Sequence, residues 1–243
     1  MRGAFDEGRT ARQGRLWLAL GAAMLIMGGV LATYTYVTPL LTDRAGIPAG
    51  AVPLVLIAFG VGALAGTTTG GRLGDRRPMA TTITAAAATA LVLLLMIPLS
   101  GNPVTATLLV FLMGLTGFTV NPVVTALAMR FAGDAPTLTS ALTTSAFNTG
   151  IAAGSLIAGT ALDSSLGLTG PPLVGTVIAA LTLLPLIALA VHGSSGNGRI
   201  VARSSAPTHA RRDEPAQVPS AALTRAWLRV RATTCQQARG LRT

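Results

Sequence analysis

The sequence predicts an all-α membrane protein with six transmembrane helices and both termini cytoplasmic. Three observations predict it. Hydrophobic residues make up 51% of the 243, and only 11% are charged. The few charges leave long uncharged stretches between them. The arginines, which supply all 18 positive charges because lysine is absent, gather at alternate ends of those stretches.

Each stretch is then measured against a bilayer. Leu16 to Thr42 and Ala45 to Gly71 are 27 residues each without a charge. A hydrocarbon core of about 30 Å needs about 20 helical residues at about 1.5 Å of rise each, so both are long enough to cross. Pro78 to Met129 is an uncharged run of 52, too long for one crossing, and the turn signal Ser100-Gly101-Asn102-Pro103 divides it in two. Ala135 to Leu162 gives a fifth stretch, and Ser164 to Gly198 a sixth whose apolar part ends near Val191. The expected spans are about 16–41, 51–71, 79–99, 104–128, 138–162 and 171–191, inside a membrane domain of 15–192. A soluble core would show amphipathic helices or alternating strands. These spans read as apolar on all sides, with Gly and Thr scattered through them.

Orientation follows from the arginines. Four lie in the segment before the first span, three at 72–77, one at Arg130 and nine after the last span, whereas Arg44 stands alone on the other side. Positive charge collects on the cytoplasmic side, which puts both termini and the 72–77 connection there. The net charge of +10 is therefore a topology signal, and no basic domain with interleaved aromatics points to nucleic acid.

Residues 1–14 read as a polar cytoplasmic leader, and the first span is too long for a signal-peptide core of about 7 to 15 residues. Residues 193–243 read as a disordered, arginine-rich cytoplasmic tail. In it, Leu223, Trp227 and Val230 share one helical face and Arg225 and Arg229 another, a pattern that suits an anionic leaflet or arises in any arginine-rich extension. The single Cys235 excludes an intrachain disulfide and a cysteine-based zinc site.

Two local patterns stand out in the second span and its end. Gly62, Gly66, Gly70 and Gly74 recur every four residues, forming a stripe against which another backbone can come close. Gly70-Gly71-Arg72-Leu73-Gly74-Asp75-Arg76-Arg77 then sets four charges in what reads as a tight turn at the membrane surface. Asp75 is expected to cap the next helix and pair with a guanidinium.

With these residues in view, the chain resembles the major facilitator superfamily, and within it the drug:proton antiporters that include chloramphenicol-type and sugar-efflux-like permeases. The resemblance runs from about Arg15 to Val191. It rests on Gly71-Arg72-Leu73-Gly74-Asp75-Arg76 against the family's G-x-L-x-D-R, on Tyr34-Thr35-Tyr36-Val37-Thr38-Pro39, and on Asp134-Ala135-Pro136. It rests most on Ala146-Phe147-Asn148-Thr149-Gly150-Ile151-Ala152-Ala153-Gly154, which looks like the eleventh helix of such permeases. The match is to the carboxyl-terminal six helices of a twelve-helix protein. The resemblance implies a multi-pass cell-membrane transporter that exports a small drug-like or sugar-like compound and needs no cofactor beyond the proton gradient. Transport by two rocking bundles around a midplane site further implies a partner, either an amino-terminal six-helix half or a second copy. Gly71, Arg72, Asp75 and Arg76 would then form a gating motif that docks against the other half. The other reading is a truncated, non-transporting membrane protein that packs with a partner half.

Candidate substrate-lining residues are Tyr36, Asn121 and Asn148. Asn121 lies nine residues before Arg130, about 13 Å in from the cytoplasmic face, and Asn148 is comparably deep in the next span. An amide at that depth serves as packing glue or meets substrate. Pro122 removes a helical donor beside Asn121. Tyr36 shares a face with Thr33 and Gly29 and is favoured over Tyr34 for a cavity, although both also suit an interfacial aromatic belt. Asp43, Asp75, Asp134 and Asp163 all sit at span ends, so no acid lies deep in a span.

No catalytic residue and no metal ligand set is expected. An intramembrane serine protease would need a buried Ser with a His in another span, but the histidines are His192 and His209, beyond the apolar part of the last span. No connection is long enough for the coupling helix of a nucleotide-driven permease.

Overall fold

A computed structural model describes residues 2–131 and 136–191, with side chains described for 13–131 and 137–191. The tail with its 221–231 pattern, His192, and the Asp134-Ala135 part of the quoted motif lie outside the described residues. Within them the chain is helical, with no strand. The long helices are α1 (Arg2–Thr35), α3 (Val52–Arg76), α4 (Pro78–Leu99), α5 (Pro103–Phe131) and α6 (Pro136–Leu162). α7 (Gly170–Leu181) turns at residue 182 and continues as helix over 183–191. A short α2 (Val37–Pro39) follows α1 and runs into a π-helical turn, Leu40–Arg44.

Prolines and arginines explain where these helices stop. Pro39 has no N–H for the carbonyl of Thr35, and its ring crowds that carbonyl, so α1 breaks at Tyr36, whose backbone N–H donates instead to Thr33 O at 3.2 Å. The first span is thus a helix with a break near one end, not the continuous run expected over 16–41. α4 ends at Leu99 and α5 begins at Pro103, the two sides of the Ser100–Pro103 turn signal. Arg44 Nη2 donates to Ile97 O at 2.7 Å, placing a cation on an orphan carbonyl at the α4 C-terminus.

Among the described residues, five helical stretches are long and apolar enough to cross a membrane: Gln13–Thr35, Ala49–Arg76, Pro78–Leu99, Pro103–Phe131 and Gly167–Val191. α6 has comparable length, 27 residues, but falls outside that group because Thr, Ser and Asn lower its hydropathy. The expectation that every span is apolar on all sides therefore fails at α6. Elsewhere the span hydroxyls are absorbed into the helices. Thr67 and Thr68 on an exposed face, and Thr82 and Thr89 in the interior, each donate to the carbonyl four residues back, which satisfies the hydroxyl within its own helix.

Two glycine seams set the packing. Gly62, Gly66 and Gly70 of α3 lie directly on the backbone of α5 at Phe111, Leu115 and Thr119, and Gly74 meets the Val123 side chain. Gly114 returns the contact from α5, where a Cβ would stand 2.5 Å from Phe59 O. The second seam joins α1 to α6: Gly28 faces the Gly150 carbonyl, Gly150 the Met24 carbonyl, and Gly154 the Gly28 carbonyl. Both seams bring backbones closer than any side chain would permit, the way membrane helices associate without a hydrophobic drive between them. α1 packs on α5, α6 and α7, and α5 on α1, α3 and α4, so these two helices hold the core. Val30, Leu93, Met96, Val110 and Met113 fill one part of it, and Ile26, Val120, Val124 and Leu186 another.

Candidate functional site

α6 turns a largely polar face away from the bundle. Thr139, Thr143, Gly150, Gly154 and Ala158 of α6 are buried against the bundle. On the opposite face Thr137, Ser140, Thr144, Ser145, Asn148 and Thr149 are exposed, with Leu138 and Leu156 exposed at its edge. Thr144 donates to Ser140 O at 3.1 Å and Thr149 to Ser145 O at 2.8 Å, so their protons are used within the helix. The side chains of Ser140, Ser145 and Asn148 make no hydrogen bond to a described residue. Unpaired hydroxyls and an amide at mid-helix are costly against lipid tails, so this face meets water, solute or a polar partner.

Tyr36 joins that face at the other end of α6. Its hydroxyl donates to Ser155 O at 3.3 Å, and it sits over Gly159, where a Cβ would stand 2.6 Å from the phenolic oxygen. Thr35 Oγ1 donates to Leu31 O at 2.7 Å, which commits its only proton. Its 3.1 Å contact with Ser155 Oγ is therefore a bond that Ser155 donates. Asn148 and Tyr36 thus share the exposed face of α6, separated by about 16 Å of helix between positions 148 and 159. Tyr34 goes elsewhere. It stacks on Phe59 at 4.3 Å, and Phe59 meets Phe118 edge-on at 5.8 Å, so this aromatic cluster ties α1, α3 and α5 together.

Asn121 is half-buried on α5 beside Pro122, and its carboxamide oxygen is buried without a hydrogen-bond partner. That atom asks for water or a group from outside the bundle.

The charged motif departs from the expected turn. Gly71, Arg72, Asp75 and Arg76 are the last two turns of α3, and the whole connection is Arg77, with φ −143° and ψ 71°. Pro78 imposes this, since a residue before proline is driven out of the helical region. Asp75 does not cap α4, whose N-cap residue is Arg77 and lacks any side-chain cap bond. Nor does Asp75 form an ion pair with a described residue. Arg72, Asp75, Arg76 and Arg77 are all exposed and line an open hollow of about 830 Å³ with Ala80 and Thr84. Gly71, Asp75, Pro122 and Arg130 border a smaller one of about 170 Å³ where α3, α4 and α5 meet. Among the described residues no group of His, Cys, Asp and Glu could hold a metal ion.

The sequence reading did not single out Ser140 or Ser145, quoted Thr35 only within its motif, and did not place Ser155 on this face. The signal available was the spacing of Ser140, Thr144, Ser145 and Asn148 at three and four residues, which puts small polar groups on one face of α6.

Comparison with known proteins points to one family. Residues 6–155 match the family model described as the Major Facilitator Superfamily. A chloramphenicol resistance protein of Streptomyces lividans is 33% identical over 170 residues, covering 70% of this chain and 43% of that protein. An inner membrane transport protein of Escherichia coli is 32% identical over 167 residues, 68% of this chain and 43% of its own length. A chloramphenicol efflux pump of Mycobacterium tuberculosis is 29% identical over 186 residues, 70% and 45% respectively. The chain spans less than half the length of these curated relatives. The family is one of transporters and not of enzymes, and its members are multi-pass proteins of the cell membrane. On the family match and the similarity to these transporters, the chain belongs to the Major Facilitator Superfamily.

Proposed function

We propose that this chain acts as one six-helix half of an exporter, moving a small, partly apolar drug-like or sugar-like compound out of the cell together with a second half. That half is an amino-terminal bundle or a second copy of this chain. The observation that carries the reading is the exposed polar face of α6 with Asn148 at its centre, a surface that makes sense against a hydrated path and not against lipid. Asn121, with an unsatisfied buried carboxamide oxygen, and Tyr36, at the far end of the same α6 face as Asn148, are the other residues proposed to line that path.

The exposed end of α3 supports the need for a partner. Arg72, Asp75 and Arg76 carry charges with no ion-pair partner among the described residues, and Gly71 has open space around its Cα. They are proposed to dock on the second half and stabilise one access state. Proton coupling, inherited here from the family resemblance, finds no mid-span acid among the described residues, since Asp43, Asp75 and Asp163 all lie at helix ends.

One observation favours the other reading, of a membrane protein that packs with a partner half without transporting: the described spans contain no carboxylate away from their ends. Inverted vesicles separate the two. With a proton gradient imposed, the chain paired with the amino-terminal half of a related exporter should accumulate antibiotic or dye, and N148L should reduce that accumulation at least tenfold. Vesicles in which the paired protein assembles but moves no compound would establish the non-transporting reading.

A further inference from the structure

The chemistry of the exposed α6 face restricts what it can recognise. It offers free hydroxyls at Ser140 and Ser145, a free amide at Asn148, and hydroxyls at Thr144 and Thr149 that can only accept. It offers no charge. α6 contains no Asp, Glu, Arg, Lys or His, and the nearest acids in sequence, Asp134 and Asp163, are 14 and 15 residues from Asn148. For Asp163 that is about 22 Å along the helix. The described arginines nearest in sequence to α6, Arg130 and those of the α3 end, also lie at helix termini.

An organic cation brought to the middle of this face would lose its water and find no carboxylate, and an organic anion would find no guanidinium. Neither ion regains from α6 what it loses with its water. A neutral solute with several hydroxyl or amide groups loses water hydrogen bonds and regains them from Ser145 and Asn148, which are one turn apart on the same face.

We propose that the Ser140–Asn148 face of α6 is a hydrogen-bonding track selective for neutral, multiply hydrogen-bonding solutes, with Ser145 and Asn148 as its specificity-determining pair. This rests on the transport reading above for its location on the path, but its content is the charge and hydrogen-bonding class of the ligand. Ser145 is the new element: it works with Asn148 by presenting a hydroxyl that makes no bond within the helix.

The test is equilibrium binding in nanodiscs, run on the full chain alone and on the chain paired with the amino-terminal half of a related exporter, with empty discs subtracted. The probes are chloramphenicol, a neutral amide bearing two hydroxyls, and tetraphenylphosphonium, a permanent cation. Chloramphenicol should bind, the S145A/N148A double variant should weaken it at least tenfold, and N148Q should recover part of the loss because it keeps an amide. Tetraphenylphosphonium should bind at least tenfold more weakly than chloramphenicol. Helicity and thermal unfolding of the variants confirm that they fold, as expected for exposed positions. Cation binding equal to or tighter than chloramphenicol, or a double variant that binds like the parent, overturns the proposal. Binding of neither probe in either preparation also overturns it, while vesicle efflux of other compounds would leave the transport reading standing.

Discussion

Asn148 illustrates how far single residues reveal their placement. Its central place in α6 is readable from the chain, because charges mark both ends of the helix and the amide falls midway. Its exposure is not readable, since periodicity defines a face without saying which face the neighbours cover. Gly150 and Gly154 decide it, because their contact with α1 turns the opposite side of α6 outward. Tyr36 and Tyr34 are separated by the same kind of information. Sequence favours Tyr36 for a cavity, and the stacking of Tyr34 on Phe59 shows where the other ring goes. The expected Asp75 cap fails because a carboxylate's affinity for a helix start is outweighed by Pro78, which makes Arg77 the junction. At Arg44 the expectation is sharp. Its guanidinium holds Ile97 O at 2.7 Å, a charge-assisted bond, so R44Q should destabilise the detergent-solubilised chain by about 1.5–3 kcal/mol in thermal or denaturant unfolding. An unchanged midpoint would mean that water replaces the bond.

The helices behave as the spacing of small residues demands. The four-residue glycine repeat of α3 is legible in the sequence, but its partner is not, because no sequence rule says that α3 pairs with α5 in preference to its neighbour α4. Substitution tests the seam directly. G66L drives a large side chain into the Leu115 backbone and should lower stability by about 1–3 kcal/mol or more, measured by unfolding in detergent. G71A, where nothing lies within 4 Å of the added methyl, should leave the unfolding midpoint within about 0.5 kcal/mol of the parent. The α6 face calls for a different probe. In a C235S background, S145C and N148C should react with a water-soluble maleimide in intact membranes, because thiolate forms only where water reaches. A cysteine at Leu64, an exposed apolar position on α3, should react far more slowly if it faces lipid. Equal rates at all three would remove the hydrated path.

At the scale of the whole molecule, composition alone identifies an all-helical membrane protein, because charges at 11% and their confinement to the ends of apolar stretches leave few alternatives. Two features escape it. The break in α1 depends on one proline near the end of a span, where the apolar pattern continues past it undisturbed. The polar character of α6 is averaged away when spans are judged by their lack of charge. The α6 face is exposed, whereas the α1 break sets exposed Thr35 and Thr38 beside buried Val37 and Leu40.

The central claim is that this bundle transports only with a second half, and efflux by defined assemblies tests it most directly. Inverted vesicles carrying the chain as a monomer, as a crosslinked homodimer, and paired with an amino-terminal half would be compared for gradient-driven accumulation of chloramphenicol. The account predicts none above empty vesicles for the monomer and clear accumulation for at least one two-half assembly. Robust accumulation by the monomer alone would contradict it.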